Sequence, residues 1–287
     1  MKKKNIVFWL LFIIVVLAVL GMTMFLNNNE KTETLQNVEK LQIVHGDKFT
    51  YLDEFKDKYI IDYQLQDITK DNIKDDLILV GDKEIANDVY AQNICLIIRN
   101  GNTGKHSSHE LKDMKGYETH ISLDDLTNDD INELIISSSI GGSVNNKVYC
   151  ILQYENEKIS EIFNVKNSAG IKVEGEFKDN YIADIKIEKV KNKMNVDLRD
   201  KKDYYTKKEI YDQNSKLINK DVKIKTYPIN NLEKIKLEDN TIGIKTSQNI
   251  MGVDKTDIID VIECTLKFNR NKFEIIAIES QKMGKLL

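Results

Sequence analysis

Two stretches of the chain read almost alike, and they constrain its architecture more than any other feature. Residues 67–77 are DITKDNIKDDL and residues 125–134 are DLTNDDINEL. Each opens with Asp, has Thr at place three, Asp at place five and an acid at place nine. Each then runs into an apolar strand, Leu77–Val80 and Leu134–Ile136. Oxygen side chains at places one, three, five and nine of a tight loop are what a hard cation such as Ca²⁺ requires. The same Asp and Thr residues also build Asx and ST turns, which hold a bend without any metal. The two stretches start 58 residues apart. A repeat of that length marks an array of small units, each unable to bury its own apolar face alone.

The units extend in both directions from these loops. From about Ile43 apolar residues recur with period two, rich in β-branched and aromatic types and punctuated by Asn, Gly and Asp, which predicts strands. In the first unit Tyr59–Tyr63 leads into the Asp67 loop. Leu77–Val80 and Asn93–Ile98 follow, and a turn at Asn100-Gly101 closes the unit, since Asn-Gly tolerates positive φ. In the second unit His120–Leu123 leads into the Asp125 loop, followed by Leu134–Ile136, Val148–Tyr154 and Ile159–Phe163. Fainter units follow around Tyr181–Ile187 and Ile235–Ile244, without the acidic ladder. Loop starts near 67, 125, 180 and 238 give a period of about 58. The expected fold is all-β, a β-propeller-like array of about four small blades.

The N-terminus is of another kind. After Lys2, Lys3 and Lys4, residues 6–26 carry no charge. At 1.5 Å per residue such a run crosses a bilayer core of about 30 Å. The preceding lysines favour a cytoplasmic N-terminus and a body outside the cytoplasm. The run is longer than the apolar region of a cleaved signal peptide, and no Ala-x-Ala-like site follows it. The expected organisation is a basic cytoplasmic tail (1–5), a transmembrane signal anchor (6–26), a polar juxtamembrane stalk (27–42) and an extracytoplasmic β body (43–287). The formal charge is −4 overall, and the only charges before residue 27 are positive, so the body is acidic. That argues against a nucleic-acid partner. Cys95, Cys150 and Cys264 lie in apolar runs without a CxxC, so all three are expected to be small buried hydrophobes.

The run D-x-T-x-D-x-x-x-[DE] followed by an apolar strand resembles the FG-GAP/VCBS-type repeat. More narrowly, the chain resembles exported VCBS-repeat-containing proteins of Gram-positive spore-formers. The resemblance is sharp over 67–80 and 125–137, plausible over 58–163 and topological beyond. It implies blades like those of the integrin α head. It also implies Ca²⁺ ligands at Asp67, Thr69, Asp71, the Ile73 carbonyl and Asp75, and at Asp125, Thr127, Asp129, the Ile131 carbonyl and Glu133. The chain departs from the pattern at places four and six, where the family has glycine. Here they are Lys70 and Asn128, and Asn72 and Asp130. Asn and Asp tolerate the left-handed region. Thr at place three lowers the ligand charge, so affinity is expected in the weak range of extracellular modules.

Other constellations carry less. His106-Ser107-Ser108-His109-Glu110 holds two His and an acid in what reads as a mobile loop. Ser137–Ser143 is Ser/Gly-rich but lacks a nucleophile elbow or phosphate cradle, and reads as a blade loop suited to contacting a ligand. Tyr204, Tyr205 and Tyr211 fit either a sugar-binding surface or core packing. The expected function is a non-enzymatic binding module for a protein or cell-wall glycan. A polysaccharide-acting hydrolase and a purely structural envelope protein with metal-free turns stand as alternatives. Among 46 acids no carboxylate pair can be singled out for glycoside chemistry.

Overall fold

The computed structural model describes residues 41–141, 146–191 and 193–286. The tail, the anchor and all of the stalk except its last two residues lie outside the described residues. Among those described, no helix is long and apolar enough to cross a membrane.

The protein is all-β, with curled antiparallel sheets. The first sheet holds two consecutive four-stranded meanders. One comprises β1 (Tyr59–Gln66), β2 (Asp75–Asp82), β3 (Tyr90–Arg99) and β4 (His106–Glu110). The other comprises β5 (Gly116–Asp124), β6 (Glu133–Ser139), β7 (Lys147–Glu155) and β8 (Lys158–Phe163). They are joined where Tyr90 and Ala91 pair with Tyr117 and Gly116. After a one-turn helix α1 (Val165–Ser168) the second sheet begins with β9 (Val173–Lys178), β10 (Ile182–Ile187) and β11 (Met194–Asp197). The connection then passes through α2 (Lys202–Lys207). It continues with β12 (Lys223–Thr226), β13 (Asn231–Lys236), β14 (Ile242–Met251), β15 (Ile258–Asn269), β16 (Lys272–Ser280) and β17 (Gly284–Lys285).

Strand composition explains how these pieces stack. A strand buried on both faces needs an unbroken apolar run, because alternate side chains serve opposite layers. In β2, Leu77 and Leu79 enter the core shared with the second meander. Ile78 and Val80 enter a core closed by Phe49, Leu52 and Phe55 of the preceding segment. In β7, Cys150 and Leu152 face the first meander, whereas Tyr149 and Ile151 face the second sheet. The result is a succession of layers: N-terminal segment, first meander, second meander, second sheet. Burying a side chain such as Leu77 or Ile78 contributes about 1.5–3 kcal/mol, so each continuous run ties two layers together.

The second sheet departs from the expected repetition. β13 to β16 form a sequential meander, but the stretch around 180 does not. The connection through α2 carries the chain from β11 to the far side of β9, giving the order β11-β10-β9-β12. β12 and β13 then lie in succession along one edge of β14. Tyr205 and Tyr211 are fully buried in this half, packed with Phe177, rather than lining a surface. All three cysteines are free and buried.

Candidate functional site

The Asp67 and Asp125 loops connect β1 to β2 and β5 to β6, the same corner of each meander. Their backbones match at the decisive places. Lys70 and Asn72 have φ of +58° and +66°, and Asn128 and Asp130 both have +64°. Places four and six, where the resemblance expects glycine, are therefore both left-handed. Sequence reasoning anticipated this at place six but not for Lys70, whose side chain gives no local compensation for the strain.

In the first loop the Asp67 carboxylate accepts the backbone N–H of Asp71 (3.3 Å) and of Asn72 (2.9 Å). Asp71 turns back to accept the N–H of Ile73 at 2.8 Å. Asp75, wholly buried, accepts the N–H of Ile68 (3.0 Å) on one oxygen and of Gly101 (2.9 Å) on the other. The Thr69 hydroxyl lies between the two acids, 3.5 Å from Asp67 Oδ1 and 3.3 Å from Asp75 Oδ2.

The second loop keeps this plan with differences at the opening Asp, at the Thr and at place nine. Asp125 accepts the N–H of Asn128, Asp129 and Asp130 at 2.7, 3.3 and 3.1 Å. Asp129 accepts that of Ile131 at 2.9 Å. Glu133, 1% exposed, accepts the Leu126 N–H at 2.7 Å and the Thr127 hydroxyl at 3.0 Å. The longer Glu then takes the side-chain amide of Gln153 (3.2 Å) where Asp75 takes a backbone N–H. Burial pushes both place-nine acids above the ordinary carboxylate range, opposed by these hydrogen bonds.

The ten predicted positions are thus gathered into two matching corners. Asp67 with Asp75, and Thr127 with Glu133, come together, while Asp71 and Asp129 serve as local backbone caps. The side chains of Ile73 and Ile131 remain partly exposed. Among the described residues, no group of three or more His, Cys, Asp or Glu is arranged to hold a metal ion.

Sequence reasoning missed the device that joins the meanders. Asp62 of β1 accepts the N–H of Ile121 at 2.7 Å, and the Gln64 amide donates to the Ile121 carbonyl at 2.5 Å. Two side chains thereby satisfy the exposed edge of β5 as a neighbouring strand would. No periodicity distinguishes Asp62 or Gln64 from other polar strand residues.

The His106–Glu110 segment is strand β4, not a mobile loop. Residues three apart on a strand face opposite ways, so His106 and His109 cannot chelate together. His109 instead meets Glu161 of β8 at 2.9 Å. Ser137, Ser138 and Ser139 end β6, and Gly142 and Ser143 lie outside the described residues. The Ser137 hydroxyl lies 3.1 Å from Nε2 of His120, but Ser137 is only 4% exposed, sealed beneath the strand pair.

Comparisons with known proteins bear on the second half. A family model described as the YybI C-terminal domain matches residues 171–282. Those limits nearly coincide with the span from β9 to β16. The chain is also similar to a Bacillus subtilis (strain 168) protein named "Uncharacterized protein YybI". It is 25% identical to it over 210 residues, covering 72% of this chain and 79% of the relative. No solved structure matches.

Proposed function

We propose that the chain is a non-enzymatic, membrane-anchored binding module whose β body stands outside the cytoplasm. The observation that carries this reading is that the repeated acids are already engaged by hydrogen bonds from their own loops and from neighbouring segments. The oxygens of Asp75 and Glu133 already accept hydrogen bonds from the protein. Their chemistry fixes strand corners, and the exposed loops beyond the strand ends are left to meet a partner, a protein or a cell-wall glycan. The uncharged run 6–26 behind three lysines supports the anchor.

A blade array is the finer reading of the fold. It is supported by the two stacked four-stranded meanders and by a third meander, β13 to β16. It is also supported by the adjacency of β1 and β5, and by the ion pair of Lys234 in β13 with Asp124 at the end of β5 (2.7 Å).

Calcium enters this reading as a weak ligand. The donors are all oxygen, as a hard cation requires, but a bound ion would displace the Thr69 hydroxyl from Asp67 and Asp75 and the Thr127 hydroxyl from Glu133. Lys70 also places positive charge in the first loop. Affinity therefore belongs in the millimolar range of extracellular modules.

The experiment has two arms, both on the full chain. Calorimetric titration with Ca²⁺ should give heat and a rise in melting temperature only at millimolar concentration. Asp71→Ala with Asp129→Ala should abolish both, and Thr69→Asp with Thr127→Asp should tighten binding. No response at millimolar Ca²⁺ would remove the metal from the reading. In the second arm, protease added to intact cells should remove the body, and purified cell-wall glycan should pellet it undegraded. A body protected from outside protease, or glycan cleavage lost on mutating a buried acid, would overturn the module itself.

A further inference from the structure

A cleft of about 590 Å³ opens where α1 and the residues after it meet the second sheet. Its volume is that of a small-molecule site. Thr246 of β14 and Cys264 of β15 are register partners on its floor, each 5% exposed. The Thr246 hydroxyl makes no hydrogen bond to any described residue, yet it is not sealed from solvent and opens into the cleft. A hydroxyl that no protein group engages and that opens into a cleft is available to a ligand, whereas valine would fill the same space and offer nothing. The contrast with Gln248, two residues along the same strand, is direct. Gln248 accepts the N–H of Ile171 and donates to the carbonyls of Ala169, Ile171 and Tyr227. The fold satisfies its buried polar groups at this corner and leaves Thr246 open.

The cleft is lined in part by the apolar side chains of Phe163, Leu266, Phe273 and Ile275 and elsewhere by polar and charged groups. The rim carries three lysines and two glutamates. Lys272 is paired with Glu274 at 3.0 Å, and Glu188 accepts the N–H of Lys172 at 3.4 Å. Among the described residues Lys166 and Lys189 have no ion-pair partner. Lys189 sits at φ +68°, a strained conformation for a side-chain-bearing residue, on the turn after β10. Burial pushes the Cys264 thiol up to about 11, opposed by the charge of Lys189, which lines the same cleft. A hydroxyl without a protein partner and two lysines without an ion-pair partner thus share one cleft with a set of apolar side chains.

We propose that this cleft binds a small anionic amphiphile, with its acidic head on Thr246, Lys166 and Lys189 and its apolar chain along Phe163, Leu266 and Phe273. A cation of the same length is disfavoured by the unpaired ammoniums, and a sugar would leave the apolar side chains unmatched. The site is separate from the Asp loops and stands or falls without them.

Equilibrium dialysis of radiolabelled octanoate against the full chain held in peptidiscs tests it. One saturable site per chain is expected. The double variant Lys166→Glu, Lys189→Glu should weaken binding at least tenfold, and Thr246→Val three- to tenfold. Octyltrimethylammonium should not compete. The variant lysines are exposed, so folding is not at issue, and circular dichroism of each variant checks that. Competition by dioctanoyl phosphatidate at lower concentration than octanoate would assign the natural head group to a lipid. The reverse order would assign it to a free acid. No saturable binding, equal competition by the cation, or binding unchanged in the double variant would overturn the proposal.

Discussion

Lys70 stands where a glycine would cost least. At φ +58° its Cβ crowds the backbone, whereas Asn72 at +66° is of a type that tolerates the region. Replacing Lys70 by Gly should therefore stabilise the protein by about 0.5–1 kcal/mol, read as a higher urea midpoint. Asn72→Gly should change it less. A lower midpoint for Lys70→Gly would mean that its side chain makes up for the strain. Glu133 supplies a pH test. Burial raises its folded-state value above the ordinary one. Its contribution to stability is thus fully present below the unfolded carboxylate value and is lost as pH rises through the folded value. On lowering pH from 7 toward 4, the melting temperature of the wild type should gain on that of Glu133→Gln. A shrinking difference would show the opposite shift. The acids and threonines of both corners were legible because their spacing is local. That Thr69 bridges Asp67 and Asp75 was not, since the same residue type at place three serves a metal or a hydrogen bond equally well.

At the scale of elements, the turn after β3 illustrates how a strand corner is secured from a distance. A Cβ on Gly101 would lie 2.0 Å from the Lys74 carbonyl oxygen, and the Gly101 N–H reaches the buried Asp75. Gly101 is thus required for close approach. The positive φ anticipated for the Asn-Gly pair falls instead on Gly104, at +72°. Gly101→Ala must push the two turns apart and should cost about 2 kcal/mol, measured by chemical denaturation. An effect under half of that would mean the turn yields freely. Strands with unbroken apolar runs, β2, β3, β6 and β7, were readable from sequence because burial on both faces leaves no polar position. The polar strand β4 was not. Its His and Ser residues lack the apolar alternation that marks a half-buried strand, and it forms by pairing with β3, its His109 side chain meeting Glu161 of β8.

In the whole molecule the layers share cores rather than standing as separate bodies. Ile151, Ile162 and Phe163 of the second meander belong to the same apolar cluster as Ile185, Ile244 and Ile262 of the second sheet. Gln248 clamps the linker between them through four hydrogen bonds. Gln248→Ala leaves the buried backbone of Ile171 and the part-buried carbonyls of Ala169 and Tyr227 without this partner and should cost about 2–3 kcal/mol. With a shared core, calorimetry should still show one transition at a lower temperature. Two resolved transitions in the wild type would mean the halves unfold independently. The family match over residues 171–282 covers β9 to β16 of the second sheet, while the apolar core extends beyond it into the second meander.

The sequence by itself determined the all-β class, the two matching corners and the strands buried on both faces. All of these follow from spacing within about ten residues or from the plain need to keep polar groups out of a core. Only the tertiary structure decided which side chains close β5, how α2 carries β12 to the far edge of β9, and that Thr246 lies without a protein partner in a cleft it shares with Lys189. Those contacts join residues far apart in the chain, and no local pattern distinguishes a polar side chain that will meet a distant partner from one that will meet water.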